Sequence, residues 1–241
     1  MFKIKLFFII FISSKLLSQE LPPIQSFMMD DYNASGQNWM ISQSSNGDIF
    51  FANNDGLLVY NGNKWNSYSS TRNTIFRSVN SINDIVYTGE NSDFGFWIKQ
   101  KNGSYIYTSI PNKYEFELFE DEEFWNILEF KNWIVFQSLD RFIFFDPISE
   151  VISSIRPNGG VFKSFIIDDN LFFSINGQGI FKIDGGNYIP YNTNGIFTKN
   201  NIINVFKSGN SLLALTQYSG FYNILSNNKV LKWYSYLNDL D

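Results

Sequence analysis

The chain has 241 residues, 18 Lys/Arg against 23 Asp/Glu for a net charge of −5, 44% hydrophobic and 19% aromatic residues, and neither Cys nor His. A chain this apolar is no solvated disordered polymer, and its length allows one or two domains. Without Cys or His there is no disulfide, no thiolate nucleophile, no Ser-His-Asp or Cys-His machinery, and no ordinary zinc site.

Residues 1–18 read as a cleaved export signal. Lys3 and Lys5 form a basic n-region, Leu6 to Ile12 is an unbroken apolar run, and Ser13, Ser14 and Ser18 supply small residues for cleavage. The alternative is a membrane anchor, but a span needs about 20 apolar residues and Lys15 interrupts this one. Cleavage after Ser18 removes three Lys and no acid, which takes the net charge from −5 to −8. The mature chain is therefore expected to be exported, periplasmic or at the cell surface. It offers no basic patch for phosphates, so no nucleic acid is expected as a partner.

Residues 19–39 form an N-terminal segment. Pro22-Pro23 blocks regular pairing at its start, and Ile24 to Met29 offers a strand able to close a ring. From 40 to 241 the chain repeats. The first copy places strands at Met40, Ile49, Gly56 and Lys64. The second begins its strands at Phe76, Ile85, Gly95 and Tyr105, the third at Trp125, Ile134, Arg141 and Val151. The fourth begins them at Phe162, Leu171, Gly179 and Asn187, the fifth at Ile203, Leu212, Gly220 and Val230. The second strand always starts nine residues after the first, across turn formers such as Asn46-Gly47 and Gly209-Asn210. Four of the five third strands open on Gly.

Five copies of about 40 residues with four strands each are the signature of β-propeller blades. The predicted class is all-β, a propeller of five four-stranded antiparallel blades. A β-sandwich or solenoid does not explain the constant offset. No helix is expected.

Gln37-Asn-Trp-Met-Ile-Ser-Gln43 and Gly47-Asp-Ile-Phe-Phe-Ala-Asn-Asn-Asp-Gly-Leu-Leu-Val-Tyr-Asn-Gly-Asn-Lys-Trp65 resemble the two-component regulator propeller repeat. Gly179-Ile-Phe-Lys-Ile-Asp-Gly185 fits in part. Elsewhere the pattern has drifted: Arg141 stands where the Gly belongs, and Asp146-Pro147 replaces the Asp-Gly turn. The resemblance covers roughly residues 21 to 236. Leu21-Pro-Pro-Ile-Gln25, with Tyr32 and Trp39, looks like the start of exported sensors that continue into a triple-tyrosine domain, a membrane helix and a cytoplasmic output. The resemblance implies a sensor half without its output, and five blades belonging to a larger ring of about seven. It also implies an extracellular oligosaccharide as the ligand class, with further signalling domains as partners.

Single features carry little chemistry. Asp168-Asp169 sits in a hairpin turn. The acidic run Glu115 to Glu123 matches no recognised cation loop, and no metal or cofactor is expected. Trp65, Trp97, Trp133 and Trp233 fall where outer or interblade packing needs them. Trp39 and Trp125 start first strands, near the rim of the central channel.

Ligands usually sit at the channel mouth, on the loops from second to third strand and from blade to blade. Those loops supply Asn53, Asn54, Asp55, Arg72, Glu90, Asn91, Asp93, Asp140, Arg141, Gln178, Gln217 and Tyr218. The expected ligand-binding set is Asn53, Asp55, Arg72, Glu90, Asp93, Trp125, Arg141, Gln178 and Gln217. The step from second to third strand start is seven, ten, seven, eight and eight residues, which suggests loops of unequal length. The function expected is non-catalytic ligand sensing. A stand-alone exported protein- or glycan-binding propeller is the alternative. A glycan-cleaving enzyme would need two acids about 5–9.5 Å apart.

Overall fold

The computed structural model describes residues 24–70, 72 and 74–234. The export signal assigned to residues 1–18 lies outside them. Blade 1 is β1 (Asn38–Gln43), β2 (Ile49–Asn53), β3 (Gly56–Tyr60) and β4 (Trp65–Tyr68). Blade 2 is β5 (Phe76–Ile82), β6 (Ile85–Glu90), β7 (Asp93–Lys99) and β8 (Tyr105–Ser109). Blade 3 is β9 (Phe124–Phe130), β10 (Trp133–Ser138), β11 (Phe142–Phe145) and β12 (Ile152–Ile155). Blade 4 is β13 (Val161–Ile167), β14 (Asn170–Ile175), β15 (Gly179–Asp184) and β16 (Asn187–Asn192). Blade 5 is β17 (Ile202–Ser208), β18 (Ser211–Thr216), β19 (Gly220–Ile224) and β20 (Val230–Lys232). Each blade is a separate antiparallel meander in sequence order, and strand starts differ from the expected ones by two residues at most.

Successive residues of a strand point to opposite faces. In the second strands both faces are packed, so these strands read as apolar runs. Ile134 and Phe136 of β10 enter the core shared with blade 2, while Val135 enters the core shared with blade 4. Leu171 and Phe173 of β14 face blade 3, and Phe172 faces blade 5. Four such cores join the five blades in series.

First strands of consecutive blades lie against one another and form the inner edge of the fan. Hydrogen bonds link them. Ser81 N donates to Ser42 Oγ at 2.9 Å, Asn80 Nδ2 to the Ile127 carbonyl at 3.0 Å, and Asn126 Nδ2 to Ser164 Oγ at 3.2 Å. On the opposite side from the mouth, Lys99 pairs with the buried Asp48 and Lys207 pairs with Asp168, each tying one blade to the previous one.

Three short helices occupy connections where no helix was expected: α1 (Met29–Tyr32), α2 (Ile110–Tyr114) and α3 (Gly195–Lys199). Local capping explains two of them. Ser109 Oγ accepts from Asn112 N and Asn194 Oδ1 accepts from Ile196 N, each filling an orphan donor of a first turn. No helix among the described residues is long and apolar enough to cross a membrane.

Ile24 to Met29, offered above as a ring-closing strand, form none among the described residues. The segment instead crosses the outer face of blade 1. Phe27 packs on Tyr60 and Trp65, Tyr32 packs on Trp65, and Ser35 N donates to Asp55 Oδ2 at 2.7 Å. Aromatic contact at one end and a polar anchor at the other satisfy the segment without ladder pairing. Among the described residues, no apolar core joins blade 5 to blade 1.

At Gly56 and Gly179 the recurrent Gly of the third-strand opening has a steric cause. Gly56 has φ +138°, and a Cβ there would lie 2.2 Å from the Tyr68 carbonyl oxygen; Gly179 has φ +105°, and its Cβ would lie 2.6 Å from that of Asn192. Only Gly lets the fourth strand approach this closely. Gly56→Ala is expected to lose at least about 1–3 kcal/mol, read by urea unfolding. An unchanged midpoint would contradict this origin of the repeat.

Candidate ligand site at the channel mouth

Every first strand carries a β-bulge at its second residue. The pairing register skips Trp39, Arg77, Trp125, Phe162 and Ile203 in blades 1 to 5 respectively. A bulge leaves one residue unpaired and re-aims its side chain. Repeated on five adjacent inner strands, it gathers these side chains at one end of the channel.

Three of them meet. The Trp39 and Trp125 rings are 5.8 Å apart and nearly perpendicular. The Arg77 guanidinium lies between them, 4.4 Å from the Trp39 ring and 4.8 Å from that of Trp125. Arg77 also donates from Nε at 3.1 Å and Nη2 at 2.8 Å to Glu123 Oε1. Ring faces and the carboxylate hold the cation in place. Trp39 Nε1 donates to Asn54 Oδ1 at 2.7 Å, yet the residue keeps 41% of its surface exposed. The result is a rigid aromatic platform with a fixed positive charge beside it. Sequence reasoning identified both Trp residues but missed Arg77 and Glu123, because their meeting depends on the bulges.

The expected mouth residues divide into two groups. Asp55, Arg72, Gln178, Gln217 and Tyr218 are exposed at the mouth. Gln178 Nε2 donates to the Asn158 carbonyl, and Gln217 Oε1 accepts from Asn201 Nδ2. Asp140 is exposed and lies 3.9 Å from Arg156. Asn91, half-buried, bridges to Glu123. Trp125 is half-buried in the platform.

Four residues of the expected binding set are turned inward, which corrects their placement as exposed mouth groups. Asn53 is buried and donates to the Ser35 carbonyl at 2.6 Å and Asn38 Oδ1 at 2.8 Å. Arg141 is buried against Glu122, with Nε to Oε1 at 2.9 Å and Nη2 to Oε2 at 2.7 Å. Its Nη2 also donates to the Glu117 carbonyl, and its guanidinium stacks on Phe119 at 3.9 Å. Burial alone would raise the Glu122 carboxyl; the bonds from Arg141, Ser138 and Phe119 N more than offset it and hold it below its ordinary value. Glu122 and Glu123, read above as part of an acidic run, thus serve as counter-ions to Arg141 and Arg77.

Glu90 and Asp93 are both 0% exposed. They are direct cross-strand partners flanking the two-residue turn Asn91-Ser92. The longer step in blade 2 is therefore extra paired strand, not a longer loop. Burial pushes both carboxyls above their ordinary values, against the hydroxyls of Ser70 and Thr74 on Glu90 and of Ser109 on Asp93.

A hollow of about 440 Å³ lies beside Arg72, Ser92 and Phe119, and others lie away from the mouth. Wedges of about 390 Å³ between blades 4 and 5, and about 310 Å³ between blades 3 and 4, open on the face opposite the mouth. A similar one separates blades 2 and 3. They recur at the same hairpin turns, as splayed blades require. The platform stands out instead through its fixed chemistry.

No family model matches the sequence, and no curated protein matches it. Solved structures do. The chain resembles the extracellular domain of the putative hybrid two component system BT4673 from B. thetaiotaomicron, with TM-score 0.61 and 14% identity over 81% of this chain and 27% of that one. It resembles YCF48 bound to D1 peptide, with TM-score 0.61 and 10% identity over 83% and 69% of the two chains. It also resembles the WD40 beta propeller domain of Doa1, with TM-score 0.60 and 7% identity over 80% and 66%. The chain thus spans about a quarter of the BT4673 domain's length. At these identities the likeness establishes the fold, a β-propeller.

Proposed function

We propose that the chain is an exported, non-catalytic ligand-binding propeller, the sensing portion of a signalling receptor, and that its five blades belong to a larger ring. The observation that carries the proposal is the bulge-borne platform of Trp39, Arg77 and Trp125 at the channel mouth. A sugar ring presents an apolar C–H face to an indole and hydroxyls to neighbouring donors and acceptors. Trp39 supplies the face, and Asn54, Asp55, Arg72, Gln178 and Gln217 supply polar groups around the rim. An extracellular oligosaccharide is the ligand class this arrangement fits. The likeness to an extracellular two-component domain supports the receptor reading. The non-catalytic reading is supported by the engagement of Glu122 and Glu123 in ion pairs and by the full burial of Glu90 and Asp93.

Calorimetric titration of the mature chain with neutral and acidic oligosaccharides tests the proposal. Trp39→Ala should weaken binding roughly tenfold, about 1.4 kcal/mol, with the melting temperature nearly unchanged. Unchanged affinity in the folded variant would place the ligand elsewhere. The peptide-bound neighbour favours a second reading, a stand-alone propeller that binds an extended peptide. Reading the messenger past the codon for Asp241 separates the two, since a receptor requires a continuing frame with a membrane span.

A further inference from the structure

The upper end of the cleft between blades 1 and 2 holds three buried oxygen atoms with no hydrogen-bond partner among the described residues: Glu90 Oε1, Asp93 Oδ2 and Tyr107 Oη. Ser70 and Thr74, from the blade 1 to blade 2 connection, donate to the other Glu90 oxygen. Ser109 Oγ and Phe94 N donate to Asp93 Oδ1 at 2.7 and 2.9 Å. Trp97 Nε1 takes the nearby Thr88 hydroxyl at 2.9 Å. The hydroxyl of Tyr107 stands near both carboxyls without an ordinary hydrogen bond to either. Its ring is seated by Gly95, where a Cβ would lie 2.8 Å from two ring atoms, and by Trp97, 4.9 Å away.

Two fully buried carboxylates directly across a strand pair repel one another and are costly to desolvate. No cation of the protein touches them among the described residues. Arg72 is exposed and faces Asp93 only through the field. The unfilled valences all belong to hard oxygen donors, and a divalent ion would cancel the two negative charges. No group of three or more Asp, Glu, His or Cys gathers among the described residues, so an ion here would have only these two carboxylates as charged ligands. Calcium accepts a few protein oxygens together with neutral oxygens and water.

We propose that Glu90, Asp93 and Tyr107 form a calcium-class cation site that ties together the second, third and fourth strands of blade 2 beside the connection from blade 1. The bound ion takes Glu90 Oε1, Asp93 Oδ2 and Tyr107 Oη as ligands and completes its shell with water. The site is buried between blades, apart from the platform, and its role is to fix the mouth rather than to bind the sensed ligand.

The test is thermal unfolding of the chelator-treated mature chain with added calcium, together with terbium emission sensitised by Tyr107 and Trp97. An affinity in the range of extracellular calcium modules predicts a rise of about 3–6 °C at about 10 mM calcium. Magnesium should give less. Asp93→Asn should abolish both the shift and the emission, while Glu120→Gln with Asp121→Asn, on the exposed loop, should leave both intact. If Asp93→Asn does not fold, Tyr107→Phe takes its place and should reduce both signals. No shift and no emission in the unaltered chain would overturn the proposal. So would equal signals in the site and loop variants, which would mean the ions bind the acidic surface.

Discussion

Arg141→Ala is expected to lower stability by about 3–5 kcal/mol, a drop of roughly 6–20 °C in melting temperature. The loss comes from leaving Glu122, 3% exposed, without its counter-ion, not from the intrinsic strength of one ion pair. It also frees the long connection through the Glu117 carbonyl and the stack on Phe119. The pH dependence identifies the cause. In the unaltered chain Glu122 lies below its ordinary value, so its contribution is present above the usual carboxylate range and is lost as pH falls through the depressed value. In Arg141→Ala the buried carboxyl keeps the bonds from Ser138 and Phe119 N but loses its counter-ion, so it moves upward from its value in the parent, and acid that neutralises it narrows the gap to the parent. Replacing Glu122 by Gln in the same chain should restore part of the loss at neutral pH. A melting temperature unchanged by Arg141→Ala would mean that Arg141 is free at the mouth after all.

The second large effect concerns blade 5. Its inner face packs Val205, Leu212, Ala214, Tyr222 and Ile224 against blade 4. Its other face repeats the pattern with nothing over it among the described residues. By register, Phe206 lies opposite Leu213, and Leu215 opposite Phe221, with Leu231 and Trp233 completing the patch. Phe206 is 43% exposed, Leu231 42% and Trp233 43%. The faces between consecutive blades are covered, and a patch of this kind is unusual on a monomer. The mature chain should therefore bind a hydrophobic dye strongly and self-associate in sedimentation, and Phe206→Glu with Phe221→Glu should suppress both. A monodisperse chain that ignores the dye would mean that the face is already covered, and the larger ring would lose its physical basis.

Much of this architecture was legible in the sequence. Alternation, turn formers at a constant offset and recurrent Gly are local signals, and packing on both faces reinforces them, so strand starts at Phe76, Ile85 and Gly179 coincide with the observed ones. The site was legible only in outline. Trp39 and Trp125 could be placed at the rim because strand order puts them there. Arg77 could not, since a bulge arises from the register of two strands rather than from the residue itself. Arg141 looked like a loop cation because its counter-ion, Glu122, lay within an acidic run that composition alone assigns to solvent. Glu90 and Asp93 looked like loop acids until two-residue pairing across Asn91-Ser92 turned them inward. In each case the deciding fact is a long-range contact without a short-range signature.

Hydrogen exchange of the mature chain with and without a binding oligosaccharide tests the ligand site most directly. Protection should concentrate at residues 38–40, 76–78 and 124–126, the bulged starts of three first strands, and at the turn around Asn54. Protection confined to the wedges near Asp168 and Lys207, with the bulges unchanged, would contradict it.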